Sequence, residues 1–388
     1  MKTCVYLLML VLLIGACKKP YNPPVIANAQ SYLVVEGVIN PGADSTIFTL
    51  SRTVNLSSNS TKNQVTGATV SVLSDANNSY PLTEISPGSY ASRGLNLDNT
   101  RKYQLSIKTA DGKQYLSDLV AVSITPPIDS VGFSLKSNYM QLYVNTHDPN
   151  NNTHYYRWDY AETWQFHAKY DSNYITNGSD IVVRTPAQQI FTCFSSDKSS
   201  SITLGSSAKL SQDVIYQNPL TTVPSTSEKL ETKYSILVRQ YALSGDAFTF
   251  WTNLKKNTEQ LGSIFDAEPS NINGNIHNVN NAAEPVIGYV SASTVSSKRI
   301  FITNSQLPLL WFPTYPYDCV ADTEWYAQPK TGQNLVQLNL IPLGSSMIPI
   351  TPFYGKAGPA PLGYLGAEVG CVDCTIRGTT KQPSFWQQ

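Results

Sequence analysis

The chain has 388 residues and balances 27 Lys and Arg against 27 Asp and Glu, with only 14% charged residues. This composition supplies neither a basic surface for nucleic acid nor an acidic tail, so we expect no nucleic-acid partner. The length exceeds one ordinary domain and fits two or three, and the 23 Tyr and 11% aromatic residues are typical of a β-rich secreted protein.

The N-terminus has the features of a bacterial lipoprotein signal. Met1 and Lys2 form a short basic start, and residues 5–14 are an apolar run, shorter than the ~20 residues that span a bilayer. The run ends on Ile14-Gly15-Ala16-Cys17, the lipobox pattern; the alternative is an ordinary secretory signal followed by a chance cysteine. The sequence predicts a signal peptide over 1–16, lipidation at Cys17 and a Pro-rich tether over 17–30.

Short alternating runs recur between residues 31 and 126. Examples are LVVEGVI (33–39), TIFTL (46–50), ATVSVL (68–73) and YQLSI (103–107), with Pro-Gly and Asp-Gly turn signals between runs. Strands at this spacing predict a small antiparallel sandwich, Ig-like or transthyretin-like. Pro126-Pro127 interrupts any strand, so we expect this domain over 31–126 and a larger β-rich domain over 127–388.

An aromatic stripe opens the second region. Its large side chains share one parity over residues 156–168, so a period of two places them on one face of a strand. Burial in a sheet is the favoured interpretation, and sugar binding is the alternative. The stripe consists of Tyr156, Trp158, Tyr160, Trp164, Phe166 and Ala168, with Glu162 as the lone charge among them.

The turn before the stripe has part of the spacing of a calcium loop. Asp148, Asn150 and Asn152 occupy its first, third and fifth positions. The sixth position, where a calcium loop needs glycine, is Thr153. We therefore favour an Asn-rich turn and predict no metal site.

A helix is predicted over about 245–261. Ser244 is a good N-cap, and Asp246 meets the positive end of the helix dipole. Apolar residues follow at steps of three and four, and Gly262 supplies the stop. We expect the edge formed by Phe250, Trp251 and Leu254 to pack on a sheet.

The best candidate for a contact surface is the segment PLLWFPTYPYD, residues 308–318. Trp311, Phe312, Tyr315 and Tyr317 cluster there among prolines. The prolines argue against a core strand, and aromatic residues with polar tips suit interfaces. The alternative is that these residues cap the end of a sandwich.

The cysteines predict disulfides. Of 6 Cys, Cys4 leaves with the signal peptide and Cys17 carries lipid, so 6 − 2 leaves an even set outside the cytoplasm. This set allows three pairings, of which one closes the C-x-x-C pair locally and two tie the tail to distant cysteines. A zinc site and a redox couple are the less favoured alternatives. The set is Cys193, Cys319, Cys371 and Cys374.

No motif for catalysis is present in the sequence. The 4 His form no H-E-x-x-H or other close metal pair, and LGSSA at 204–208 lacks the second glycine of a nucleophile elbow. Asp266 and Glu268 are the nearest to a carboxylate pair, but a polar loop explains them better. We predict no enzymatic activity and no cofactor, with a hydrolase as a remote alternative.

The chain resembles a family of Bacteroidetes lipoproteins known only as domain of unknown function four-two-four-nine. The resemblance rests on residues 241–278 (YALSGDAFTFWTNLKKNTEQLGSIFDAEPSNINGNIHN), PVIGYVSASTVSSKRIFI, LVVEGVI at 33–39, YSILVRQYALS and the terminal CVDCTIRGTTKQPSFW. Relatives often carry a cysteine after GNIH, where this chain has Asn278. The resemblance implies an outer-membrane lipoprotein, often encoded beside TonB-dependent receptors, and brings no catalytic residue with it.

Two hypotheses of function follow. The first is an accessory binding lipoprotein that captures ligand for a TonB-dependent outer-membrane receptor or covers its mouth, held to the membrane by the lipid on Cys17. The second is a structural or assembly protein of the outer membrane without a small ligand. Lys18, Lys19 and Pro20 follow the lipid site, whereas surface lipoproteins of this phylum favour acidic residues there. The side of the outer membrane that the protein faces is therefore left open.

Overall fold

A computed structural model describes residues 31–54, 63–259, 274–356 and 358–386 of the chain. The predicted signal peptide, the lipid site Cys17, the tether, Asp266 and Glu268 all lie outside these residues. The described part is β-rich, which confirms the predicted fold class. None of its helices has the length and apolar content that crossing a membrane requires.

The N-terminal region supplies nine strands, whose inward positions alternate with outward ones. In two central strands, for example, Val70 pairs with Ile107 and Val72 with Leu105, and all four side chains are buried. The strands are β1 (Leu33–Val38), β2 (Thr46–Arg52), β3 (Asn63–Gln64), β4 (Thr69–Ser74), β5 (Ser79–Ser86), β6 (Ser89–Ser92), β7 (Lys102–Lys108), β8 (Gln114–Ser117) and β9 (Val120–Ser123).

The central region begins on the far side of Pro126-Pro127. It contains the aromatic stripe in β12 and one long helix, α1. Its elements are β10 (Ile128–Leu135), β11 (Tyr139–His147), β12 (Tyr155–His167), β13 (Tyr174–Thr176), β14 (Ile181–Val183), β15 (Thr192–Lys198), β16 (Thr203–Ser206), β17 (Val214–Pro224), β18 (Lys233–Ala242), α1 (Gly245–Glu259), β19 (Ile276–Asn278), β20 (Val286–Ile287), β21 (Ala292–Ser293) and β22 (Val295–Thr303).

The C-terminal region adds a three-stranded sheet and a short helix. Its elements are β23 (Asp322–Trp325), β24 (Met347–Tyr354), β25 (Pro361–Glu368) and α2 (Val369–Val372), in the sheet order β23-β25-β24. The described chain also contains 3₁₀ helices at Pro186–Gln188, Glu228–Leu230, Asn304–Gln306 and Cys374–Ile376, and a π-helical turn at Val336–Leu340.

The first sheet takes in strands from a distant part of the chain. Strands β19, β20 and β21 join β1–β9 in a twelve-stranded sheet, where β20 pairs parallel to β1 and β21 parallel to β9. Ile276, Val286, Val290 and Ala292 contribute to the same core as the N-terminal strands. The N-terminal sheet thus depends on residues 276–293, and the predicted boundary at residue 126 stays a prediction.

Two further sheets share the second core. The five-stranded sheet has the order β15-β12-β18-β22 with β16 beside β12, and the three-stranded sheet has the order β10-β11-β17. All six predicted members of the aromatic stripe are buried between these sheets, which confirms the packing interpretation. Glu162 is buried with them, where it accepts hydrogen bonds from Tyr234 Oη (2.6 Å) and Lys229 Nζ (2.6 Å).

Helix α1 begins where the sequence predicts. The Ser244 hydroxyl accepts a hydrogen bond from the Ala247 backbone N–H (3.2 Å), as an N-cap does. Ala247 and Phe250 are buried, and the Phe250 ring contacts that of Tyr289, with centroids 5.5 Å apart. The predicted end at residues 260–262 lies outside the described residues.

Candidate functional site

The contact loop, residues 308–318, contains an exposed apolar tip and one buried residue, Trp311. Leu309, Leu310 and Phe312 are 93%, 85% and 66% exposed, and we call these three residues the apolar tip. Trp311, between them, is buried in the second core and anchors the loop. Phe312 is therefore available for contact, whereas Trp311 serves packing.

The base of the loop is held by polar and aromatic contacts. The Tyr315 hydroxyl donates a hydrogen bond to Glu231 Oε1 (3.1 Å), and Lys169 Nζ lies 5.0 Å from the Tyr315 ring centroid. Burial, with the adjacent Glu231 carboxylate, raises the pKa of Tyr315 to about 12, so this hydroxyl stays protonated at neutral pH. Tyr317 lies close against Gly370, where a Cβ atom would approach the ring to 3.0 Å.

Of the two disulfides, one ties the end of the loop to the C-terminal tail and the other ties that tail to β15. Cys319 is bonded to Cys371, and Cys193 to Cys374. Of the pairings that the sequence left open, this is one that joins each tail cysteine to a distant partner. Tyr170 adds a hydrogen bond to the carbonyl oxygen of Cys319 (3.0 Å). The loop that carries the apolar tip is thus fixed at its C-terminal end by the Cys319–Cys371 bond.

A second feature is a cleft of about 570 Å³, which we call the polar cleft. Such a volume is in the range of small-molecule sites. Its walls are β1, the outer face of the five-stranded sheet, the segment after β15, and helix α1. The lining includes Glu36 of β1, Arg157 and Asp159 of β12, Lys198, Arg239 of β18, and Trp251 and Glu259 of α1.

Arg157 has an unusual position in the polar cleft. Its guanidinium lies 4.4 Å from the centroid of the Trp251 ring and 4.6 Å from that of Tyr241. The Nε atom is buried without a hydrogen-bond partner, and the described residues offer this side chain no ion pair within 4 Å. Burial lowers the pKa of Arg157, against the influence of Tyr241 and Asp159, but arginine stays charged in proteins.

The acidic neighbour of Arg157 is already engaged. Asp159 Oδ1 accepts a hydrogen bond from Arg239 Nε (2.5 Å), and Asp159 Oδ2 accepts one from the Tyr241 hydroxyl (2.8 Å). Burial and the Asp159 charge raise the pKa of Tyr241 to about 12. Asp159 therefore neutralises Arg239 and fixes Tyr241 rather than pairing with Arg157.

Buried Ser207 and Asp213 and half-buried His154 have the residue types of a catalytic triad in a different arrangement. Ser207 donates a hydrogen bond to Asp213, as does Tyr156, and the Ser207 hydroxyl lies 3.4 Å from His154 Nδ1. Ser207 is fully buried, and the aspartate contacts the serine rather than the histidine. A nucleophilic serine needs the histidine as its base and an open approach, so this trio is a structural network.

The described residues contain no cluster of three or more His, Cys, Asp or Glu side chains that could hold a metal. Asp148 accepts three backbone hydrogen bonds of 2.9 Å, from Asn150, Asn152 and Thr153. This is the Asn-rich turn that the sequence predicts.

Sequence reasoning missed the polar cleft because its walls come from six separate parts of the chain. The sequence did contain one local signal, since Arg157 and Asp159 alternate with the aromatic stripe on the opposite face of β12. Asn278, which stands where relatives carry a cysteine, is buried and donates a hydrogen bond to Glu284 (2.7 Å). It needs no disulfide partner in this chain.

Comparisons with known proteins identify the family and little else. The model of the family described as domain of unknown function (DUF4249) matches residues 18–299, and the chain belongs to this family. No curated protein matches the chain.

Two solved structures illustrate how distant the structural likenesses are. The chitinase ChiA74 from Bacillus thuringiensis is 13% identical over 52% of this chain, with a TM-score of 0.16, and this chain spans only 30% of its length. A DUF3823 family protein from Bacteroides ovatus is 12% identical over 56% of this chain and 92% of its own, with a TM-score of 0.14.

Proposed function

We propose that this DUF4249 protein is a non-enzymatic binding lipoprotein of the outer membrane. In this proposal, lipid on Cys17 holds it to the membrane, and it serves a TonB-dependent receptor by capturing ligand or covering the mouth of the barrel. The family itself has no assigned function. The lipoprotein and receptor elements come from the lipobox and from the resemblance described above.

The apolar tip is the observation that supports a protein partner. Leu309, Leu310 and Phe312 lie within four consecutive residues and are largely exposed, at 93%, 85% and 66%. Single exposed apolar residues are ordinary, but a contiguous group marks a contact site. The rigid base lowers the entropy lost on binding, because the backbone is already ordered by Trp311 and by the Cys319–Cys371 bond.

The polar cleft supports a ligand-capturing role. It brings aromatic rings and charged groups together in a concave site, the usual composition of a small-molecule site. The cleft and the tip are built from different residues. A receptor-binding surface and a ligand site can therefore be tested separately.

The test is a mild-detergent pull-down of the tagged, lipidated protein from native membranes, with partners identified by mass spectrometry. Recovery of a TonB-dependent receptor in near-equal amount supports the proposal. A Cys17→Ala variant serves as a control for the anchor and is expected to leave the membrane fraction. Recovery of assembly factors alone would replace the proposal with the structural role.

A further inference from the structure

The polar cleft contains a cation, Arg157, to which the described residues offer no hydrogen-bond acceptor. A guanidinium has five N–H donors and is always charged. A buried donor without a partner costs free energy, and a buried charge costs more. Arg157 has neither a hydrogen bond nor an ion pair within the described chain, and its Nε is buried.

Other arginines of the described chain have hydrogen-bond acceptors for their guanidinium groups. Arg239 bonds Asp159, Arg299 donates to the Ser235 hydroxyl (3.0 Å), and Arg184 donates to the Gln188 carbonyl oxygen (3.1 Å). Arg157 instead has two aromatic rings, Trp251 and Tyr241, on which the guanidinium lies. Rings satisfy its faces by cation–π attraction and leave the N–H groups at its edge without acceptors.

Two of the three carboxylates that line the polar cleft are already engaged by groups other than Arg157. The Asp159 carboxylate is occupied by Arg239 and Tyr241. Glu259 accepts a hydrogen bond from the backbone N–H of Ile202 (2.6 Å) and lies 3.9 Å from Lys255. Glu36 on the opposite wall is the remaining carboxylate of the cleft, and Lys198 is a further cation.

We infer that Arg157 binds an oxyanion group of a small ligand in the polar cleft. A carboxylate fits best, because a guanidinium edge and a carboxylate form two parallel hydrogen bonds. The cleft volume of about 570 Å³ accommodates a ligand the size of a sugar acid. This inference deepens the ligand-capturing part of the proposed function and rests on it, but it needs no receptor.

The first test measures binding to the detergent-solubilised full chain by calorimetry. The probes are sodium galacturonate, neutral galactose as the uncharged match, acetate and inorganic phosphate. We expect saturable binding of galacturonate, at least tenfold weaker binding of galactose, and loss of galacturonate binding in Arg157→Gln. Arg101→Gln, an exposed arginine outside the cleft, is the matched control and should bind as the wild type does.

Each outcome either supports or overturns the anion site at Arg157. Binding of phosphate alone that is lost in Arg157→Gln supports the anion site and assigns it to an inorganic anion. Binding of no oxyanion probe, or equal binding in Arg157→Gln, overturns the inference. The receptor pull-down is unaffected by either result, so failure here is distinguishable from failure of the receptor proposal.

A second measurement needs no ligand probe. If Arg157 is kept for binding, its unpaired charge destabilises the ligand-free protein, and Arg157→Met should raise the urea midpoint of unfolding. Millimolar galacturonate should raise the midpoint of the wild type but not that of Arg157→Met. A lower midpoint in Arg157→Met without ligand would show that the arginine serves the fold, and would overturn the inference.

Discussion

The sulfur of Cys319 is bonded to the sulfur of Cys371, which lies 52 residues later in the chain. This bond joins the end of the contact loop to helix α2. Cys374, three residues further on, is bonded to Cys193 at the edge of the five-stranded sheet. The C-terminal tail thus connects the exposed loop with the second core.

Removing either disulfide should destabilise the protein. The chain-entropy model gives about 4 kcal/mol for the Cys319–Cys371 loop and about 1 kcal/mol more for Cys193–Cys374, whose cysteines are 181 residues apart. Urea unfolding of the double variants Cys319→Ser/Cys371→Ser and Cys193→Ser/Cys374→Ser measures both losses. Peptide mapping without reductant that recovered Cys371 joined to Cys374 would contradict the pairing.

Residues of the contact loop should differ sharply in their effect on stability. Trp311→Ala empties a site in the second core and should cost about 3–5 kcal/mol. Leu309→Ser, Leu310→Ser and Phe312→Ser change exposed side chains and should each shift the unfolding free energy by about 0.5 kcal/mol or less. Chemical denaturation followed by tryptophan fluorescence measures these differences. An unfolding cost at the tip as large as that at Trp311 would mean that the tip is packed.

Removing the buried carboxylate of Glu162 should lower the stability of the protein far more than removing the exposed carboxylate of Asp197. Glu162→Ala leaves the Tyr234 hydroxyl and Lys229 without their acceptor and should cost about 2–4 kcal/mol, since Lys229 stays partly solvated. Asp197→Ala removes a carboxylate 3.9 Å from the same Lys229, but its side chain is 62% exposed. This control should change stability by less than about 0.5 kcal/mol. Equal losses in the two variants would refute the assignment.

The hydrogen bonds to Asp148 predict that the stability of the protein falls at acid pH. Burial acts to raise the pKa of Asp148, but backbone hydrogen bonds from Asn150, Asn152 and Thr153 outweigh it, and the folded pKa lies below 3.8. The stabilisation is therefore present above pH 3.8 and is lost as the pH falls through the lowered folded pKa.

The measurement compares urea midpoints of the wild type and Asp148→Asn at about pH 5 and about pH 3. Asparagine keeps an acceptor but does not titrate, so the variant should lose less stability over this interval. At the higher pH, Asp148→Ala should cost about 1–3 kcal/mol, because buried N–H groups lose their acceptor. Identical acid dependence in the wild type and Asp148→Asn would exclude this role.

The sequence predicted correctly the elements that are determined by residues close together in the chain. The stripe of β12 follows from a period of two, and the start of α1 follows from a Ser cap and its apolar spacing. Strands β19–β21 were missed because each has two or three residues, too few to show a period, and their partners lie more than 150 residues away. The disulfide pairing, between cysteines 52 and 181 residues apart, and the polar cleft also depend on contacts between separate parts of the chain. Sequence spacing alone cannot specify such contacts.

The most direct measurement of the central proposal is a quantitative pull-down that compares the wild type with the triple variant Leu309→Ser/Leu310→Ser/Phe312→Ser. Both lipidated proteins are expressed at equal levels and solubilised from native membranes in mild detergent. The account predicts that a TonB-dependent receptor is recovered with the wild type in near-equal amount, and at least tenfold less with the variant. Recovery of the receptor with neither protein, or equally with both, would contradict it.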